Sequence, residues 1–253
     1  MLKLKEISRR QKLLLVTLTL SLMLFIGMIA YVNDYYHASP TALLALKNSE
    51  TVTITTIAED VLTFVPKEPV AGLIFYPGGK VEYTSYAPLM HSLAEKGFLC
   101  LLPEMTFNLA VLEVNAADGL TDYFPEIDTW YLGGHSLGGS MAASYLAKNT
   151  SDYDGLLLCA SYSTTDLSNH QLDVISIYGS EDNVLNAKKY AEYKENLPSD
   201  YTEYIIDGGC HAYFGNYGAQ DGDGTPTITW EQQLTETIEI IVDAFLFAEP
   251  FND

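Results

Sequence analysis

Two kinds of hydrophobic pattern divide this chain. Residues 13–32 form one unbroken apolar run of twenty residues without a charge. Beyond residue 50, short apolar runs alternate with stretches of helical period. The first run has the length of a membrane-crossing helix, since twenty residues at a rise of about 1.5 Å span a hydrocarbon core of about 30 Å. Lys3, Lys5, Arg9, Arg10 and Lys12 precede it against the single Glu6, and positive flanks stay on the cytoplasmic side. The pattern predicts a basic cytoplasmic segment over 1–12, a transmembrane anchor over 13–32 and a domain outside the cell. The rival is a cleaved signal peptide, which would leave a secreted protein. The run is long for that, and no Ala-x-Ala site follows it.

Residues 33–50 read as a juxtamembrane linker, and 51–253 as the folded domain. Alternation over 51–56 and 61–65, interrupted by Ala58-Glu59-Asp60, predicts an antiparallel hairpin. Strands follow at 71–76, 98–102, 128–132, 155–160, 174–178 and 203–206. Helices are expected at 86–96, 108–117, 141–148, 186–196 and 228–247. Continuous apolar strands separated by helices predict an α/β fold with a mostly parallel sheet covered on both faces.

Charge adds one constraint. Five of the 13 basic residues and one of the 33 acids stand before residue 33, leaving 8 lysines, no arginine and 32 acids in the remainder, a net −24. Such a domain repels nucleic acid and anionic lipid, so no nucleic-acid partner is expected. The missing arginine argues against a bidentate clamp for phosphate or carboxylate. Cys100 and Cys159 lie in strand-like runs and read as buried thiols, and the chain holds no Cys-x-x-Cys pair. Asp221-Gly222-Asp223-Gly224 has too few acids for a calcium loop and reads as a turn. No metal site and no cofactor are expected.

The chemistry centres on Gly134-His135-Ser136-Leu137-Gly138, a Gly-x-Ser-x-Gly sequence between a strand and a helical stretch. That context predicts a nucleophile elbow, a sharp turn that lifts a serine hydroxyl clear of a sheet. A serine needs a base, most often an oriented histidine. Of the five histidines, His211 follows the last predicted strand in a glycine-flanked loop, where sites of open α/β sheets form. His135 adjoins the serine and cannot easily swing back onto it. The base needs an acid, and the strand ending at Tyr178 runs into Glu181 and Asp182. Asp182 is the candidate, with Glu181 its rival. The order Ser136, Asp182, His211 is that of the α/β-hydrolase design. Oxyanion donors are expected from the Leu137 backbone N–H and from the exit of the first parallel strand, at Gly79 or Lys80.

On these motifs, together with Phe75-Tyr76-Pro77-Gly78-Gly79, Tyr86-Ala87-Pro88-Leu89, Tyr178-Gly179-Ser180-Glu181-Asp182 and His211-Ala212-Tyr213-Phe214-Gly215, residues 60–248 resemble the α/β-hydrolase superfamily. More narrowly they resemble its alpha/beta hydrolase fold-5 branch of small membrane-anchored or secreted bacterial proteins. The departure is Pro77, where many relatives carry His. Dienelactone hydrolases are also similar, but their nucleophile is Cys. The resemblance implies a carboxylesterase-like serine hydrolase acting on small esters through an acyl-enzyme. Only residues 162–173 separate two predicted strands, which leaves no room for a cap domain and predicts an open site. Phe107, Tyr213 and Phe214 are candidates for an apolar substrate rim, with Tyr217 beside them. Two alternatives stay open: acyl transfer or amide cleavage on a cell-envelope component, and a non-catalytic binding domain on the same fold.

Overall fold

The computed structural model describes residues 8–247; Lys3, Lys5 and Glu6 of the basic segment lie outside them. The chain divides into two units, Met1–Tyr35 and Tyr36–Asp253. The first contains helix α1 (Arg9–Asn33), capped by Ser8 in a capping box with Gln11. None of its residues is buried, and the helix is long and apolar enough to cross a membrane. A single-pass anchor and a signal sequence both fit it.

The second unit starts earlier than its hydrophobic pattern suggests. The stretch read as a linker is built into the fold from Tyr36 onward. The Tyr36 N–H donates to the Lys80 carbonyl at 2.8 Å, and the Ala38 N–H donates to Glu82 at 3.0 Å. Ser39 then caps α2 (Pro40–Leu44), whose Ala42 is fully buried, and His91 Nδ1 donates to the Ala45 carbonyl at 2.8 Å. The Tyr36, Ala38 and His91 contacts join residues 44 to 46 positions apart, so the local sequence gives no sign of them.

Eight strands follow: β1 (Val52–Ile57), β2 (Val61–Pro66), β3 (Ala71–Tyr76), β4 (Phe98–Pro103), β5 (Trp130–His135), β6 (Gly155–Cys159), β7 (Asp173–Gly179) and β8 (Thr202–Ile206). Their order in the sheet is β1-β2-β4-β3-β5-β6-β7-β8. β1 and β2 form the expected hairpin, and β2 lies antiparallel to β4; all other neighbours are parallel. Ala58 and Glu59 turn the hairpin with φ of 48° and 71°, the left-handed pair that a two-stranded ribbon's twist favours. β5 runs three residues beyond its expected end, because Gly133, Gly134 and His135 keep the ladder with Leu157, Leu158 and Cys159.

The parallel strands are buried on both sides, and that is why they read as unbroken apolar runs. Alternate residues serve opposite cores. Leu73, Phe75, Tyr131 and Ile177 face α3 (Ala87–Glu95) and α6 (Trp230–Leu246), where Met90, Leu93, Ile241 and Phe245 pack. Ile74, Tyr76, Leu132 and Leu158 face α4 (Leu137–Leu146), with Ala142, Ala143 and Leu146. Small side chains on α4 let it lie close to the sheet. α5 (Ala187–Tyr193) ends in a 3-10 turn over Lys194–Asn196.

The helix expected at 108–117 is absent. Two single 3-10 turns, Thr106–Asn108 and Ala110–Leu112, stand there instead. Phe107 and Asn108 both sit at φ 55°, and Glu113 reaches back to the Thr106 N–H at 2.7 Å. Side chain to backbone bonds of this kind compete with helix. Ala110 is buried while Val111 and Leu112 are exposed, so the segment has no single apolar face.

The chain passes from β3 to β4 on one side and then returns to β5 on the other. That reversal opens a crevice at the carboxyl ends of β3 and β5, where ligands of open α/β sheets bind. Its walls are held by a close backbone approach. A Cβ on Gly138, at the start of α4, would overlap the carbonyl oxygens of Tyr76 and Pro77 at the end of β3. Gly138→Ala is therefore expected to destabilise the fold by about 1–3 kcal/mol, as overpacking does. Thermal unfolding checks this, and an unchanged midpoint would mean that α4 can move away freely.

Candidate active site

Ser136 occupies the turn between β5 and α4 at φ 53°, ψ −122°. A positive φ on a residue with a Cβ costs about 1–3 kcal/mol and persists only where the surroundings hold it. They do so here. The Ser136 N–H donates to the Cys159 carbonyl at 2.9 Å, and Ser161 Oγ donates to the Ser136 carbonyl at 2.7 Å. A Cβ on Gly134 would lie 2.6 Å from the Tyr76 carbonyl oxygen and 2.7 Å from the Gly138 carbonyl carbon, so only glycine permits the turn to close.

His211 and Asp182 meet from two other loops. Asp182 follows β7, and its Oδ2 lies 2.8 Å from His211 Nδ1. Both side chains are 1% exposed. Oδ1 accepts the N–H groups of Val184 at 2.9 Å and Leu185 at 2.7 Å, which fixes the carboxylate plane. A carboxylate only accepts, so Nδ1 donates, and in the neutral ring Nε2 is the bare nitrogen. His211 Nε2 is buried without a hydrogen-bond partner among the described residues. Glu181, the rival acid, instead accepts from its neighbour Ser180 at 3.2 Å.

Ser136 and His211 line one cavity of about 240 Å³, together with Leu137, Ser140, Val184 and Leu185. Among the described residues no Lys, Arg, Asp or Glu lines it. Among the described residues no hydrogen bond joins Ser136 Oγ to His211. Such contacts often tighten only once a substrate is bound.

A match to the sequence profile of the alpha/beta hydrolase family covers residues 72–235. The chain belongs to the alpha/beta hydrolase family. Solved structures share its fold at low identity. TT1662 from Thermus thermophilus aligns at TM-score 0.55 with 14% identity, covering 76% of this chain and 97% of that one. A predicted CIB-like hydrolase from Thermoplasma acidophilum gives 0.55 and 14%, covering 75% and 96%. Est1E from Butyrivibrio proteoclasticus gives 0.54 and 12%, covering 77% and 99%. No curated protein matches the sequence.

Other residues named from the sequence divide. In this alpha/beta hydrolase, Leu137 opens α4, where the first N–H groups lack intrahelical partners. Gly79 lies against it: a Cβ there would meet Leu137 Cδ2 at 2.9 Å. The Lys80 N–H is already engaged by the Asn108 carbonyl at 2.7 Å, which leaves Gly79 as the better placed donor. Phe107 is 48% exposed, and neither it, Tyr213 nor Phe214 lines the cavity. Phe214 is buried with its ring 5.7 Å from that of His135, so it packs behind the elbow rather than forming a rim.

The structure adds three residues that sequence reasoning passed over. Asp223, read as part of a turn, ties two loops together. Its Oδ2 accepts from the Ala212 N–H at 2.8 Å, and its Oδ1 from His211 at 3.2 Å and Gly224 at 2.8 Å, with Asn183 at 3.5 Å. Tyr86, read as a helix start and as part of a motif of the family resemblance but given no role in the site, bonds His135 Nδ1 at 2.7 Å. His135 is itself buried, with its ring centroid 4.5 Å from that of His211. Local signals existed for Asp223, an Asx residue among glycines, but not for its partners. Among the described residues no group of three or more His, Cys, Asp or Glu converges to hold a metal ion. All three cysteines are buried and free, and burial pushes the Cys210 thiol up to about 12.

Burial first, and the neighbouring His211 second, hold the His135 imidazole well below its usual range. The unfolded chain takes up a proton at residue 135 near pH 6.5, and the folded chain does not. Stability therefore falls as pH drops below 6.5, by up to about 1.4 kcal/mol per pH unit from this group. Urea unfolding at pH 6.5 and 5.5 should show a steeper loss for the wild type than for His135→Asn. Equal slopes would place the missing proton elsewhere.

Proposed function

We propose that the protein is a serine hydrolase that cleaves small uncharged carboxylic esters through an acyl-enzyme. The observation that carries this reading is the 2.8 Å His211–Asp182 bond, with His211 lining the same cavity as Ser136 on its strained elbow.

In this reading Ser136 Oγ attacks the ester carbonyl while His211 Nε2 takes its proton. Asp182 holds the Nδ1–H tautomer and stabilises the imidazolium. The oxyanion is bound by the backbone N–H groups of Leu137 and Gly79. The imidazolium returns its proton to the departing alkoxide, which leaves as the alcohol. Water, deprotonated by His211, then attacks the acyl-serine, and collapse releases the acid and restores the serine hydroxyl. The uncharged lining favours a neutral acyl group, and 240 Å³ suits a substrate of modest size. The α1 segment acts as an uncleaved anchor, with the basic end in the cytoplasm and the domain outside.

A fluorophosphonate probe is expected to label the full chain in mild detergent at Ser136 alone. Ser136→Ala abolishes labelling and ester turnover, and Asp182→Asn lowers kcat on the order of 10³- to 10⁴-fold by favouring the wrong tautomer. Full turnover in Ser136→Ala would refute the assignment. For the anchor, external protease should digest the domain in intact cells, and the mature mass should include residues 13–32. A mature chain beginning after residue 32 would make α1 a signal sequence.

A further inference from the structure

The phenol of Tyr86 joins the two segments that carry the proposed oxyanion donors. Tyr86 ends a 3-10 turn (Tyr83–Tyr86) ahead of α3, and its side chain is fully buried. The hydroxyl oxygen lies 3.0 Å from the Gly78 nitrogen and 2.7 Å from His135 Nδ1. A backbone N–H only donates, so the hydroxyl accepts from Gly78. The oxygen has room to accept from a protonated Nδ1 as well, but its own proton would then have no acceptor among the described residues; the assignment that uses this proton directs it at His135 Nδ1 and puts the ring proton on Nε2. A directed chain results: Gly78 N–H to Tyr86 O–H to His135 Nδ1. It begins one residue before Gly79 and ends one residue before Ser136.

We propose that Tyr86 is a positioning residue for oxyanion stabilisation, setting the spacing between the Gly79 and Leu137 N–H groups. The inference rests on the serine hydrolase reading. Oxyanion donors must lie about 2.7–3.1 Å from the developing charge, and these two come from different loops. Burial keeps the Tyr86 hydroxyl protonated and the His135 ring neutral, so the chain holds one direction. Tyr86 does not line the cavity of Ser136 and His211. Its hydroxyl therefore acts on the donors and not on the bound ester. Loss of it falls on kcat and leaves KM in place.

Tyr86→Phe keeps the ring and removes the link. The test uses the full chain in mild detergent with p-nitrophenyl acetate, and kcat is normalised to sites titrated by the fluorophosphonate. The normalisation removes any fraction lost to unfolding. A fall of roughly 10- to 100-fold in kcat with KM within about twofold is expected, since removing one whole donor costs about 10²- to 10³-fold. Inhibition by a trifluoromethyl ketone, which forms a tetrahedral oxyanion, should weaken by a similar factor. Unchanged kcat per labelled site would overturn the proposal. If Tyr86→Phe does not fold, ¹⁵N spectra of the wild type decide: His135 must carry its proton on Nε2, and a proton on Nδ1 overturns the proposal. Wild-type chain that is folded but unlabelled at Ser136 would sink the hydrolase reading itself, and this inference with it.

Discussion

The close crossing of the β5–α4 turn over the end of β3 is the constraint from which the site follows. Gly134 and Gly138 have no Cβ, so α4 can start against the Tyr76 and Pro77 carbonyls. That contact brings Leu137 up to Gly79 and places Ser136 at the switch point of the sheet. The left-handed backbone at Ser136 is the energetic cost of the arrangement. A core that fills both faces of the sheet offsets it, since each buried Leu, Ile or Phe contributes about 1.5–3 kcal/mol. The strain is local and the compensation is distributed. Hence the turn tolerates little change, while the sheet around it tolerates more.

The histidine–aspartate pair is built on the opposite principle. Nothing at Asp182 or His211 has a positive φ. The difficulty there is desolvation, because a buried carboxylate is costly unless its oxygens are occupied. Three hydrogen bonds answer that at Asp182, from Val184, Leu185 and His211. Asp223 repeats the device one layer out, on the backbone N–H groups of His211 and Ala212. His211 is thus oriented through its ring by one carboxylate and through its main chain by another. Its Nε2 has no hydrogen-bond partner among the described residues, and His211 lines the cavity that Ser136 shares.

What the sequence made legible was what neighbouring residues decide. Apolar runs marked the parallel strands, and the Gly-x-Ser-x-Gly turn marked the elbow between β5 and α4. Chain order brought Asp182 and His211 forward as partners, and the structure puts them 2.8 Å apart. The misreadings share one cause, which is pairing over distance. Residues 36–50 look like a polar linker until Glu82, Lys80 and His91 are seen to hold them. The helical period at 108–117 yields to a carbonyl that Lys80 claims and a glutamate that turns back on Thr106. Phe214 looked like a rim residue because it follows His211, yet its ring serves the core beside His135. Tyr86 stood in a family-like motif, but nothing local pointed to its partners, which lie 8 and 49 residues away.

His135 shows why packing and charge have to be considered together. A second imidazole 4.5 Å from the base would be a liability if it were charged. In the proposed reaction, proton transfer from Ser136 makes His211 an imidazolium, and a neighbouring cation would raise the barrier by repulsion in a site of low dielectric. Burial keeps His135 neutral, and a hydroxyl donor at its Nδ1 occupies the nitrogen that a second proton would need. The ring then serves as packing for Phe214 and His211 without competing for the proton. On the proposed mechanism, the positive charge is then confined to the one imidazole that faces Asp182.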